Sequence, residues 1–421
     1  MRFRVGREVF GEAVAWVARA LPSRPVVPVL SGLLLQAGDD GLTLSCFDYE
    51  ISATARIDAE VKEDGTALVP GRLLAEITRS LPALDVEVAT DGDMVDLTCG
   101  SAEFELVSLP VAEYPVLPDP PPVAGTIDGG VLALAAAQVV PAASRDDTLP
   151  MLTAVCLDVH DETLTFAATD RYRLAVKDVR WEPVARGLRA AALVPARTLA
   201  DVARSVTAGV PVAVAFEAGQ SGTDAAPAEG PVRDPRPADG VISFEGGNRR
   251  LTARLIGGEF IKYQSRFPDG FGSRATLAAG PFTEAVRRVS LVADRASPVR
   301  LTFGSGNVVI EAQTDGRARA VETVPADFEG EERIISFNPH YLLDGLGAAS
   351  APAPAAPARQ PGAPRDGEDQ APVEPGRIRL EFSTAAKPAL LTWVDDEGLA
   401  PGGDTPAFRY LVVPLRIPAR A

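Results

Sequence analysis

Within Ala168-Thr169-Asp170-Arg171-Tyr172-Arg173-Leu174-Ala175, a hydroxyl, an acid, two guanidinium groups and a phenol fall inside five consecutive residues. Arginine supplies nearly all the positive charge; only Lys62, Lys177, Lys262 and Lys387 are lysines. Guanidinium groups suit the holding of anions such as phosphate. Groups that break bonds are scarce. The two histidines, His160 and His340, stand apart from any Cys pair and from any HExxH pattern, so no metal site is expected. Gly304-Ser305-Gly306 lacks the third glycine of a dinucleotide loop, and neither a phosphate loop of the G-x-x-x-x-G-K type nor a G-x-S-x-G elbow occurs. The acid pairs Asp146-Asp147 and Asp395-Asp396 read as turn and loop charges. An enzyme with its own active site is disfavoured; no catalytic residue and no cofactor is assigned.

The elements that must position these residues form a repeat. Asp170 follows the alternating strand Thr163-Leu164-Thr165-Phe166-Ala167 and precedes a second strand; an Asp suits such a turn because its carboxylate bonds nearby backbone N–H groups. Asp48, after Leu42-Thr43-Leu44-Ser45-Cys46-Phe47, and Asp315, after Val308-Val309-Ile310-Glu311, sit in the same pattern. A proline and a helix come after each hairpin: Pro70, Pro195 and Pro339 lie 22, 25 and 24 residues beyond the three aspartates. A longer helix precedes each, expected over 7–21, 130–144 and 281–296. In the first, Val9, Ala13, Val14, Trp16 and Val17 make an apolar stripe. The spacing from Pro70 to Pro195 is 125 residues and from Pro195 to Pro339 is 144. The low-complexity stretch 219–240, which lacks any periodic pattern, accounts for the surplus.

The fold class is therefore α+β, with three repeated domains of helices and antiparallel sheets, expected at 1–121, 124–272 and 273–421. Pro118-Asp119-Pro120-Pro121-Pro122 marks a linker. A second insertion, rich in Ala and Pro, runs over about 348–376. At 421 residues and 46% apolar composition the chain can build about three cores. Mean hydropathy is +0.07, yet no apolar run approaches the length of a membrane span. Met1-Arg2-Phe3-Arg4-Val5 alternates like a strand and lacks the core of a signal peptide. Cys46, Cys99 and Cys156 give no disulfide framework, so a reduced cytoplasm and no membrane are expected.

The net charge of −16 argues at first against a nucleic-acid partner. Its distribution argues otherwise: the six expected helices sum to +2 and the remainder to −18. Repeated units can close into a ring through a continuing sheet, leaving helices on one face. A ring around duplex DNA needs phosphate attraction without base readout. Three units span part of a circle, so a second copy would complete it.

Several of these stretches resemble the bacterial DNA polymerase III beta subunit family, the replicative sliding clamps. They are the opening Met1 to Val5 with Arg7-Glu8, Arg24-Pro25-Val26-Val27-Pro28-Val29-Leu30-Ser31-Gly32, the central Ala168 to Ala175, and Tyr410-Leu411-Val412-Val413-Pro414-Leu415-Arg416. Asp147-Thr148-Leu149-Pro150-Met151-Leu152 is similar to actinobacterial members. The resemblance implies a homodimeric ring of DNA-clamp domains, helices inside and sheets outside, encircling double-stranded DNA without sequence preference. It implies that the polymerase III alpha subunit, the clamp loader and other clamp-binding proteins dock through a peptide cleft. Carried over by position, the cleft comprises Leu152, Thr169, Arg171, Tyr172, Arg173, Leu174, Leu411, Val413, Pro414, Leu415 and Arg416. DNA contact is implied for Arg24, Arg72 and Arg197. Without the resemblance, Tyr172 and Leu174 read as strand core. Ile261 stands where the family usually has proline, and Ser265 where it often has arginine, both on the expected rim. Two alternatives are a duplicated clamp that tolerates a clamp-directed inhibitor, and a peptide-binding scaffold that no longer encircles DNA.

Overall fold

The computed structural model describes residues 1–216, 240–268, 270–294, 297–314, 317–350, 376–384, 386–394 and 407–415. Asp315, Arg416, the acid pair Asp395-Asp396 and most of both insertions lie outside these residues. Two compact units emerge: Met1–Thr126 with Val210–Glu217 and Gly240–Leu255, and the described residues of Ile127–Gly209 and Ile256–Ala421.

Six α-helices occur among the described residues: α1 (Arg7–Ala18), α2 (Gly71–Ser80), α3 (Gly129–Val139), α4 (Ala196–Ala203), α5 (Ala279–Ser290) and α6 (Pro339–Ala349). The long helices bury their apolar residues at matching offsets: Phe10, Ala13, Val14 and Val17 in α1, Leu132, Ala135, Ala136 and Val139 in α3, Phe282, Ala285, Val286 and Val289 in α5. Each set has the i, i+3, i+4, i+7 spacing that places side chains on one helix face. In α1 the fourth position belongs to Phe10, fully buried, and Val9 of the expected stripe is half exposed. The short helices match as well. Leu74 and Ile77 in α2, and Leu199 and Val202 in α4, fill the fourth and seventh positions that Leu342 and Gly345 fill in α6.

All three long helices end short of the expected bounds, α1 at Ala18, α3 at Val139 and α5 at Ser290. Helix α3 stops at Val139 because Pro141 offers no N–H and its ring crowds the preceding turn; Val140–Ala142 continues as a 3-10 turn. In the third copy the proline is not the cap. Pro70 and Pro195 precede α2 and α4, whereas Asn338 caps α6 by accepting from the His340 N–H (2.9 Å) and Pro339 is the first helical residue. The third repeat is thus offset by one residue from the proline spacing.

The strands join neighbouring repeats. In the first unit one sheet runs through Pro211–Phe216, Val241–Gly246, Arg249–Arg254, Ile51–Ile57, Gly41–Phe47, Gly32–Gly38 and Gly65–Pro70. Its seam is the antiparallel pairing of Arg249–Arg254 with Ile51–Ile57. In the second unit nine strands run from Arg189–Pro195 to Asp327–Glu329, and the seam is Arg173–Arg180 against Phe408–Val412. Among the described residues, two smaller sheets end in edge strands that pair with no further strand. The five-stranded sheet of the first unit closes on Ala102–Val107, and the four-stranded sheet of the second on Ala318–Pro325.

Candidate functional site

The turn after Thr163–Thr169 is built by Asp170. One carboxylate oxygen accepts from the N–H groups of Tyr172 and Arg173, both at 3.0 Å. The Thr169 hydroxyl accepts from the Arg171 N–H (3.1 Å) and donates to the Arg173 carbonyl (2.6 Å). Arg171 takes up φ +79°, a left-handed conformation costly for a branched or bulky residue, and this hydrogen-bonding fixes it there. The Tyr172 carbonyl accepts from the Val413 N–H (2.8 Å), so the last described strand is tied to the turn.

Leu152, Thr169, Arg171, Arg173, Leu174, Leu411 and Val413 line one cavity of about 350 Å³. Ile261, Arg266 and Pro388 complete its wall. Three of the expected residues lie beside it. Tyr172 is 54% exposed, against its reading as strand core, and stacks on Tyr341 with ring centroids 6.0 Å apart. Pro414 is buried, and Leu415 donates its N–H to the Ser336 carbonyl. Leu174 is both core, at 4% exposure, and cavity wall.

The three cavity arginines differ in charge balance. Arg173, 8% exposed, donates from Nε to Asp170 (2.9 Å) and from Nη1 to Asp344 (2.5 Å), and its guanidinium lies 4.6 Å from the centre of the Tyr341 ring. It is a strut, compensated on both sides. Arg171 and Arg266 have no carboxylate within ion-pair distance among the described residues, and Asp146 stands near enough to Arg171 to feel its charge. Ser265, expected on the rim, is exposed and caps its own turn by donating to the Lys262 carbonyl. The 3-10 turn Gln264–Arg266 carries Arg266 onto the cavity instead.

The wall carrying Ile261 is anchored from beneath. Tyr263 is buried and its hydroxyl donates to Asp158 (2.8 Å). Burial, reinforced by that carboxylate, pushes the phenol well above its ordinary range, so it stays a donor. Arg409 pairs with Asp178 (2.6 Å) and covers the Phe267 ring. The cavity floor is continuous with a core of Cys156, Ala167, Leu174, Val176, Tyr263, Leu390 and Leu411. Helix α6 packs on the same strands, where Gly345 leaves no room for a Cβ against the Tyr410 ring.

Arg24, Arg72 and Arg197 are all exposed. Arg72 and Arg197 hold the second position of α2 and α4. Arg72 also donates to the carbonyls of Leu21 (3.3 Å) and Pro22 (3.2 Å), which fixes the start of the loop bearing Arg24. The cysteines are buried and free, and burial pushes the Cys46 thiol up to about 12. No group of His, Cys, Asp or Glu among the described residues could hold a metal ion.

Matching helix offsets and sheets that cross from one repeat to the next define a clamp of three α+β domains. The sequence matches the DNA polymerase III beta subunit over all of them: the N-terminal domain at residues 1–118, the central domain at 126–262 and the C-terminal domain at 264–353. The beta sliding clamp of Streptomyces coelicolor is 44% identical over 420 residues, covering 99% of this chain and all of the relative. "Beta sliding clamp homolog GriR" of Streptomyces muensis is 41% identical over 346 residues, 82% of this chain and 88% of the relative. The crystal structure of the Bacillus subtilis DNA polymerase sliding clamp superimposes with TM-score 0.81 at 24% identity, over 99% of each chain. A Pseudomonas aeruginosa clamp bound to griselimycin does so with TM-score 0.81 at 23% identity, over 99% of this chain and all of that one. The chain belongs to the DNA polymerase III beta subunit family, the beta sliding clamps. Its function is that of a DNA sliding clamp, a non-catalytic processivity factor in replication.

Proposed function

We propose that two copies of this chain close into a ring around duplex DNA, that Arg24, Arg72 and Arg197 contact phosphates, and that partner peptides dock in the Arg171–Arg266 cavity. Strand edges carry the first part. Two sheets continue across repeats, while Ala102–Val107 and Ala318–Pro325 are edge strands with no further partner among the described residues. Open edges invite pairing. Both are accompanied by exposed apolar side chains: Val107 at 63% on one, Val321 at 49% and Leu291 at 82% by the other. Helix α5, which ends just before Leu291, is tied to that edge by the Arg288–Glu322 pair. Joining the two edges head to tail would extend the five- and four-stranded sheets into one. The domain division 1–121, 124–272 and 273–421 is part of this reading, and a clamp working on chromosomal DNA is placed in the cytoplasm.

Sizing tests it. The full chain, 44.1 kDa as a protomer, elutes as a dimer at micromolar concentration, and Leu291→Asp with Val107→Asp elutes as a monomer. A wild-type monomer contradicts the ring.

The cavity supports a peptide site for the polymerase alpha subunit, the clamp loader and other clamp-binding proteins. Its aliphatic floor takes apolar anchors and its guanidinium groups take carboxylates or backbone oxygens. One observation favours a second reading, a duplicated clamp that tolerates a cleft-directed inhibitor. Ile261, in place of the family's usual proline, lines the cavity directly. Ile261→Pro then tightens griselimycin binding; equal affinity before and after removes that reading and leaves the ring untouched.

A further inference from the structure

The repeat that makes the first cavity makes another, in the first unit. Asp48 Oδ1 accepts from the N–H groups of Glu50 (3.0 Å) and Ile51 (2.7 Å), as Asp170 does from Tyr172 and Arg173. Tyr49 adopts φ +73°, as Arg171 adopts +79°. The Glu50 carbonyl accepts from the Arg254 N–H (2.9 Å), as the Tyr172 carbonyl accepts from Val413. A chain segment beside this turn is also anchored by a buried tyrosine, Tyr114, whose hydroxyl accepts from the Phe47 N–H (2.7 Å). Between these parts lies a cavity of about 290 Å³, walled by Phe47, Tyr49, Pro118, Val241 and Ala253.

Its lining lacks the excess of positive charge found in the first, since Glu50 and Arg254 balance each other. Tyr49 stands where Arg171 stands and Ile51 where Arg173 stands, so both turn arginines are replaced by uncharged side chains. Arg254 at the rim is offset by Glu50 at 3.8 Å. The neighbouring Asp119, beside Pro118, is exposed and adds negative charge. Tyr49, 55% exposed and 5.4 Å from the Phe47 ring, offers an aromatic face to a cation or an apolar group.

We propose that this cavity is a second peptide-docking site, selective for a linear segment with a leucine- or phenylalanine-type anchor flanked by basic residues. The proposal rests on the reading of the first cavity as a peptide cleft, because the repeat carries the architecture from one to the other. The difference in charge assigns the two sites to different partners.

Two labelled peptides test it by fluorescence anisotropy on the full chain: Lys-Ala-Leu-Phe-Ala-Lys, and the same peptide with both lysines replaced by aspartate. The basic probe binds saturably, weakens about tenfold in Tyr49→Ala and about fivefold in Glu50→Lys, and is unchanged in Arg266→Ala. The acidic probe weakens in Arg266→Ala and is unchanged in Tyr49→Ala and Glu50→Lys, and thermal unfolding like that of the wild type shows those two variants folded. Basic-probe binding that ignores Tyr49 and Glu50, that falls with Arg266→Ala, or that does not saturate overturns the second site. Failure of the acidic probe alone breaks the reading of the first cleft, and failure of the basic probe alone breaks this inference.

Discussion

At Asp48 and at Asp170 the chain makes the same turn: a carboxylate gathering two backbone N–H groups, a left-handed residue next, a carbonyl pairing with the neighbouring repeat. The three residues after each aspartate differ. Tyr49-Glu50-Ile51 brings a phenol and one carboxylate to the first cavity, whereas Arg171-Tyr172-Arg173 equips the other with two guanidinium groups. Backbone architecture was copied; side-chain chemistry was not. Repetition therefore fixes the turn and the cavity beside it, and the three residues after the aspartate set the charge that cavity carries.

The largest separation between the turns is expected at the third residue after the aspartate. Arg173→Ala leaves Asp170 and Asp344 without their shared cation and lowers unfolding stability by about 3 kcal/mol, as breaking a buried pair does. Ile51→Ala, at the matching position but half-buried, costs about 1 kcal/mol. Urea unfolding of both variants reads the contrast, and equal losses would break it. Next comes the aspartate itself. Asp170→Ala removes two backbone hydrogen bonds and one ion pair and costs about 2 kcal/mol, against about 1 kcal/mol for Asp48→Ala. A smaller effect sharpens the comparison of the anchors. Tyr263→Phe withdraws a donor from the buried Asp158 carboxylate and costs about 1.5 kcal/mol. Tyr114→Phe withdraws only an acceptor from one N–H and costs about 1 kcal/mol.

The smallest change in stability isolates function. Asparagine tolerates positive φ better than arginine or tyrosine, so Arg171→Asn and Tyr49→Asn alter stability by no more than about 0.5 kcal/mol. Arg171→Asn nevertheless weakens an acidic peptide several-fold, and Tyr49→Asn leaves that peptide alone. Peptide titration beside thermal unfolding checks both.

Much of this was legible in the sequence because it is local. A turn aspartate between alternating strands, and helical spacing after it, announce themselves within a dozen residues. Phe10 and Val9 show the limit: both are apolar neighbours, and only the packed face decides which is core. The partners of Arg173 were not legible, since Asp344 lies 171 residues away and reaches it through the packing of α6. Arg266 was missed for a related reason. A 3-10 turn rotates side chains differently from an extended rim, so the exposed Ser265 and the cavity-lining Arg266 exchange the places that position alone suggests. The third repeat is offset by one residue because its helix is capped by Asn338 and proline follows the cap, whereas in the other two proline itself precedes the helix.

A closed ring holds DNA by topology and not by tight contact. The direct measurement is retention of the loaded protein on nicked circular plasmid, followed by linearisation at a single site in moderate salt. A closed ring is retained stably on the circle and lost once ends appear. Equal retention on both forms, or loss from both, contradicts it.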